Sequence, residues 1–69
     1  GGTATACLNA ANEEAVFAFL DGKIKLYQIY EITKKIFDEH NIIKTPTIDD
    51  IFETDLTTRE KTKQLIASL

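Results

Sequence analysis

The chain of 69 residues is poor in the residues that cross-link small domains. It has one cysteine, Cys7, one histidine, His40, and neither methionine nor tryptophan. A single cysteine excludes an intrachain disulfide, the spaced ligands of a zinc site are missing, and a free thiol favours a reducing compartment. A chain this short buries only about 60% of its unfolded surface. Because it lacks Met and begins with Gly1-Gly2, we expect it to be an excerpt from a longer protein.

Basic residues are also few, and long apolar runs are absent. Eight Lys and Arg stand against eleven Asp and Glu, which gives a net charge of -3. Binding to nucleic acid needs a basic face that contacts phosphates, so no nucleic-acid partner is expected. No apolar run approaches the roughly 20 residues that span a bilayer, and no basic segment precedes an apolar one as in a signal peptide. The sequence therefore predicts a soluble protein without a membrane partner.

The apolar residues that are present recur at helical spacing. A first helix is expected from about Ala4 to Leu20, with Thr3 as its N-cap and Asp21-Gly22 at its end. Its inner face is predicted to consist of Leu8, Ala11, Ala15 and Phe19, flanked by Val16 and Leu20. Gly1-Gly2 is typical of the left-handed end of a preceding helix.

A second helix is expected before His40-Asn41, followed by a linker to Pro46. Its apolar stripe is Leu26, Ile29, Ile32 and Ile36, flanked by Tyr30 and Phe37, while Lys34 and Asp38 can pair on the solvated face. Thr47 is predicted to cap a short helix whose buried residues are Ile48, Ile51 and Phe52.

Asp55 is predicted to cap a separate last helix that runs to about Ser68. Its packing is expected to depend on Leu56, the Thr62 methyl group and Leu65, Ile66 and Leu69. Residues 1–69 are therefore predicted to form a single all-α domain, an antiparallel bundle of three to four helices.

Polar residues offer several candidate sites, and each has a structural explanation. Asn9, Asn12 and Glu13 share one surface of the first helix, and we expect internal hydrogen bonds there rather than a metal site. His40 is interpreted as a capping or surface residue and Cys7 as a small buried residue. The acidic run of Asp49, Asp50, Glu53 and Asp55 lacks the pattern of a calcium loop. No catalytic, cofactor-binding or metal-binding residue is therefore assigned.

The segment GGTATACLNAANEEAVFAFLDGKI, residues 1–24, carries a resemblance to a known family. It resembles the pattern GGTxxxxLNAANExAVxxFLxGKI near the C-terminus of bacterial and plastid 1-deoxy-D-xylulose 5-phosphate reductoisomerases. Further matches follow in the family's order at Ile24 and Ile29, His40, residues 46–51, Asp55 and Arg59-Glu60. Two positions depart from the family: Leu26-Tyr27 precedes the second helix, and Thr57-Thr58 stands where Trp-Ala is frequent.

The resemblance implies a parent enzyme that converts 1-deoxy-D-xylulose 5-phosphate to 2-C-methyl-D-erythritol 4-phosphate with NADPH and a magnesium or manganese ion. It also implies that the dinucleotide-binding and metal-binding parts lie upstream, so that this chain contributes a structural domain packed on the catalytic domain. A bacterial cytoplasmic or plastid location is expected.

Self-association to a homodimer is expected as well, because a missing helix would leave Leu8, Phe19, Ile29 and Ile36 uncovered. The alternative is a stand-alone helical module for protein interaction.

Overall fold

The computed structural model describes residues Gly2–Leu69 as three helices. Helix α1 spans Ala4–Leu20, α2 spans Leu26–Asp38 and α3 spans Ile48–Ala67. Ala11 and Ala15 of α1 face α2, and α3 packs along α1 on another side. Successive helices run antiparallel, because Ala18 shares a core cluster with Ile32 and the earlier Cys7 shares one with the later Ile36. The predicted all-α bundle is confirmed.

Both ends of α1 are set by glycines with positive φ. Gly2 has φ 60° and Gly22 has φ 75°, a conformation in which a side chain is strained. After Asp21, the amides of Gly22 and Lys23 donate to the carbonyls of Phe19 and Ala18, at 3.0 and 2.9 Å, which closes the helix with a Schellman motif. The predicted end of α1 is confirmed, while the predicted role of Gly1 lies outside the described residues.

Thr3 occupies the predicted N-cap position but does not cap α1 with its side chain. Its buried hydroxyl accepts from the amide of Ile43, at 2.9 Å, and lies 2.8 Å from Nε2 of His40. The Thr3 amide donates in turn to the Ile43 carbonyl, at 3.0 Å. The Thr3 side chain is therefore used to hold the α2–α3 linker at the base of α1, and the prediction of a side-chain cap was wrong.

The third helix begins as the sequence predicts but does not break. Thr47 accepts from the amide of Asp50, and the Asp50 carboxylate accepts from the amide of Thr47, which forms a reciprocal capping box. The predicted second start at Asp55 is wrong, because α3 continues to Ala67. The Asp55 carboxylate binds Arg59, one turn later, instead of capping the helix.

Small residues rather than large ones form the inner face of α1. Cys7, Ala10, Ala11 and Ala15 are fully buried, and Ala18 is nearly so. Ile24, Ile32 and Ile36 fill the space opposite them, and Phe19, Phe37, Leu65 and Ile66 are half-buried around this core. The short side chains let the helices approach closely, since dispersion contacts need heavy atoms at roughly 3.5–4 Å.

Threonines take the corresponding place on α3. Thr54, Thr58 and Thr62 follow each other at intervals of four residues and are all buried. The Thr62 hydroxyl donates to the Thr58 carbonyl at 2.7 Å, so this buried polar atom has a partner within its own helix. The apolar contact expected at Leu56 is not made, because Leu56 is exposed.

Several large apolar residues that were predicted to pack inside are exposed. On α1 these are Leu8 and Leu20, on α2 Leu26 and Tyr30, and on α3 Ile48, Ile51 and Phe52; Phe17 and Tyr27 also face solvent. The predicted stripes were therefore wrong in part: on α1, Ala11 and Ala15 are buried as predicted but Leu8 is not, and the first turns of α3 contribute no large residue to the core. None of the described helices has the length and apolar character needed to cross a membrane.

Candidate functional site

The polar surface of α1 is open to solvent. Asn9, Asn12 and Glu13 are all exposed, and neither amide side chain has a hydrogen bond within the described residues. The expected internal hydrogen bonds of the two asparagines were therefore wrong. The reason is the position of the core, which lies on the alanine face of the helix, opposite Asn9. Both amides remain free to contact another molecule.

Glu13 does take part in a cluster, through Arg59, to which the sequence analysis assigned no contact. Nη1 of Arg59 on α3 lies 2.9 Å from Oε1 of Glu13 and 2.8 Å from Oε2 of Glu14. Nε of Arg59 binds Oδ2 of Asp55 at 3.0 Å, and Lys63 lies 3.9 Å from Glu14. Hydrogen bonds to Asp55 and Glu14 raise the pKa of Arg59 above its ordinary value. We call these five residues the ionic junction of α1 and α3.

The junction fixes the direction of α3 along α1. Glu14 is buried, and a buried carboxylate is costly unless a charged partner compensates it. Arg59 supplies that charge with a planar group that reaches three carboxylates at once. The spacing from Asp55 to Arg59 was the available sequence signal, since residues four apart share a helix face. Nothing in the sequence identified Glu13 and Glu14 as their partners on another helix.

Arg59→Met is expected to lower the free energy of unfolding by about 1–2 kcal/mol, because Glu14 loses its direct partner while the remaining groups stay partly solvated. Urea denaturation measures this change. The matched control is Lys34→Met, which removes the exposed Lys34–Asp38 pair and should leave stability nearly unchanged. Equal effects of the two substitutions would show that the ionic junction contributes no more than a surface pair.

Cys7 is fully buried, as predicted, and lies against α3. Burial raises the pKa of its thiol, while a hydrogen bond with Thr58 and the charge of Lys61 act in the opposite direction with less effect. A buried thiol with a raised pKa remains protonated near neutral pH and is a poor nucleophile. Cys7 therefore acts as a small packing residue at the contact of α1 with α3.

The pH dependence of stability should report this burial. Because the folded pKa of Cys7 exceeds that of the unfolded thiol, its contribution is present at neutral pH and is lost as the pH rises through the folded pKa. We expect the free energy of unfolding to fall above about pH 9, and Cys7→Ala to reduce that fall. Urea denaturation between pH 7 and 10.5 measures both chains. The same pH dependence of the free energy of unfolding in the parent chain and in Cys7→Ala would mean that Cys7 is solvated.

His40 neither caps α2 nor lies free on the surface. It is half-buried, and it contacts the hydroxyl of Thr3, a residue 37 positions earlier in the chain. The acidic residues of α3 are dispersed among other roles: Asp50 completes the capping box and Asp55 binds Arg59. Across Gly2–Leu69, no three His, Cys, Asp or Glu side chains are placed to hold a metal ion together.

An open cavity of about 710 Å³ lies between the C-terminal halves of α1 and α3. Phe17, Ala18 and Ile66 provide its apolar lining, and Glu14 and Lys63 connect it to the ionic junction. Neither the cavity nor the junction could be located from periodicity alone, because both depend on how α3 lies against α1. The surface offers contacts for packing, and its groups form no acid–base or nucleophilic arrangement among the described residues.

These features define a small helical domain whose polar groups join its own helices and whose outer surface remains available for contacts. The chain matches the family described as the DXP reductoisomerase C-terminal domain over residues 1–61. It belongs to that family.

Comparison with curated relatives supports the same family. The chain is 47% identical over 66 residues to the 1-deoxy-D-xylulose 5-phosphate reductoisomerase of Bacillus pumilus, a match that covers 96% of this chain and 17% of the relative. It is 51% identical over 61 residues to the protein of the same name from Caldanaerobacter subterraneus subsp. tengcongensis, covering 88% of this chain and 16% of the relative. The chain thus spans about one sixth of the length of the curated relatives it matches. A stand-alone interaction module is not favoured by these matches.

Proposed function

We propose that this chain serves as the C-terminal structural domain of a 1-deoxy-D-xylulose 5-phosphate reductoisomerase. The enzyme would convert its substrate to 2-C-methyl-D-erythritol 4-phosphate with NADPH, in isoprenoid precursor synthesis. The observation that carries the proposal is sequence identity of 44–51% to proteins of that name over at least 88% of the chain. A bacterial cytoplasmic or plastid location accompanies this proposal.

The cofactor and the magnesium or manganese ion would be held by other parts of the enzyme. A dinucleotide phosphate is typically held by a glycine-rich turn, and the described residues contain no such turn. A divalent ion needs several converging oxygen ligands, whereas the carboxylates of the ionic junction bind Arg59. This domain would brace the catalytic domain without touching the reacting atoms, and the isolated chain would be inactive.

The partners proposed are the upstream catalytic domain of the same polypeptide and a second copy of the enzyme. The residues first expected to drive dimerisation are largely used inside the domain: Ile36 is buried, and Phe19 and Ile29 are half-buried. The dimer contact would therefore lie elsewhere in the enzyme. Sedimentation equilibrium should give a dimer for an enzyme that carries this chain and a monomer for the isolated chain.

A chimera tests the proposed function. This chain replaces the matching C-terminal segment of the B. pumilus relative, and NADPH oxidation is followed with 1-deoxy-D-xylulose 5-phosphate as substrate. We expect activity within about tenfold of the intact relative, and a much larger loss when the segment is deleted. An inactive but folded chimera, or full activity after deletion, would contradict the bracing role.

Calorimetric titration of the isolated chain with NADPH and manganese should show no saturable heat.

A further inference from the structure

The start of α3 extends past the start of α1. The two helices run in the same direction, because Arg59 and Lys63 bind Glu14 while Ile66 and Ala67 line a cavity with Phe17 and Ala18. Thr58 contacts Cys7, which lies in the first turn of α1. Ile48 lies ten residues, about 15 Å, before Thr58, whereas Ala4 lies only three residues, about 5 Å, before Cys7. The first turns of α3 therefore project about 10 Å beyond Ala4.

An apolar ridge formed by Ile48, Phe52 and Leu56 begins on the projecting part of α3 and continues to the level of the start of α1. These residues follow at intervals of four and therefore share one side of the helix. Their exposed fractions are 72%, 70% and 58%. Large side chains exposed to this degree leave on the order of 300 Å² of apolar surface, the size of the largest patch on a typical monomer, and such a patch is often functional. The ridge leads along α3 to Arg59 and the ionic junction.

The path of the chain indicates what covers the ridge. Thr3 is bonded to Ile43, five residues before Ile48, so Gly2, the first described residue, lies at the end of the bundle where α3 begins. Gly2 itself lies against the linker backbone, since a Cβ there would clash with the Ile43 oxygen. In relatives of this C-terminal domain family, about five sixths of the length lies outside the match. The part of an enzyme that precedes this domain is therefore joined to it at the end of the bundle that carries the ridge.

We infer that the apolar ridge of α3 is the docking surface for the part of a reductoisomerase that precedes this domain in the same polypeptide. The inference rests on the proposed function and adds which face of the domain makes the contact and how that face is oriented. The ionic junction at the end of the ridge holds three carboxylates and two cations, so the docked surface presents apolar side chains to the ridge and a neutral or basic group beside Glu13.

Hydroxyl-radical footprinting of the chimera tests the inference. Phe52 and Leu56 should be labelled at least tenfold less in the chimera than in the isolated chain, whereas Tyr27 and Tyr30 on α2 should change less than twofold. Equal labelling of Phe52 in both, or selective protection of the two tyrosines, would overturn the assignment. Loss of the Phe52 protection on fiftyfold dilution would assign the ridge to a second copy and overturn it too.

A matched pair of substitutions adds a second measurement. Phe52 and Tyr30 are both 70% exposed, so Phe52→Asp and Tyr30→Asp should change the melting temperature of the isolated chain equally little. In the chimera, only Phe52→Asp should lower the melting temperature and speed proteolytic release of the domain. Equal behaviour of the two variants there would overturn the inference. Because footprinting and melting do not require turnover, an inactive chimera would count against the proposed function alone.

Discussion

Gly2→Ala is expected to lower the free energy of unfolding by about 3 kcal/mol. A residue with a Cβ at φ 60° costs roughly 1–2 kcal/mol in the left-handed region. The added Cβ would also clash with the Ile43 carbonyl oxygen, a backbone atom that cannot rotate away. Moving the linker would weaken its two hydrogen bonds to Thr3, each contributing about 0.5–1.5 kcal/mol.

Gly22→Ala is the matched control for this prediction. Gly22 has φ 75°, but nothing lies within 4 Å of a Cβ built there. The substitution should therefore cost only the conformational term, about 1–2 kcal/mol. Urea denaturation of both variants measures the difference. If the two substitutions destabilise the domain equally, the close contact between Gly2 and the linker contributes nothing.

Ile36→Ala is expected to destabilise the domain by about 3 kcal/mol, within the range measured for buried Ile to Ala changes. Ile36 is 6% exposed and shares a core cluster with Cys7 and Ala11 of α1. The buried neighbours Cys7 and Ala11 are too short to fill the cavity that the substitution leaves, and Phe37 and Leu65 pack around the cluster from partly buried positions. A domain of this size has a total stability of only about 3–10 kcal/mol, and the variant should be partly unfolded at 37 °C.

Ile48→Ala provides the comparison, because it deletes the same atoms at an exposed position. In the isolated chain its effect should stay within about 0.5 kcal/mol. Thermal unfolding followed by circular dichroism suffices for both variants. A loss at Ile48 as large as that at Ile36 would mean that the start of α3 packs inside the isolated domain.

Helix positions could be predicted from local signals. The bounds of α1 follow from its periodicity and from the glycine after Asp21, and the start of α3 follows from Thr47 and Asp50. The predicted break at Asp55 failed because a short polar residue favours an N-cap only when no better partner exists. Arg59 one turn later is that partner, and it is held by Glu13 and Glu14 from another helix.

The inner faces of the helices were harder to predict. The predicted inner face of α1 contained Leu8 beside Ala11 and Ala15; the two alanines are inside as predicted, whereas Leu8 is exposed and Ala10 and Ala18 are buried in addition. How close two helices lie is decided by the residues on both of them, here Cys7 of α1 against Thr58 of α3, and sequence spacing on one helix does not report it. Membership of the C-terminal domain family was recognisable because the sequence LNAANE and its flanks are specific to it. That recognition did not depend on which contacts these residues make.

The bonds between Thr3 and Ile43 close a loop that contains α1 and α2 but leaves α3 outside it. The first two helices can therefore form a cooperative unit before α3 docks, and α3 can open without disturbing that closure. Native-state hydrogen exchange would then show two levels of protection, with the amides of α3 released at a lower free energy than those of α1. Since α3 carries the apolar ridge, attachment to the rest of an enzyme would stabilise the very element that opens first.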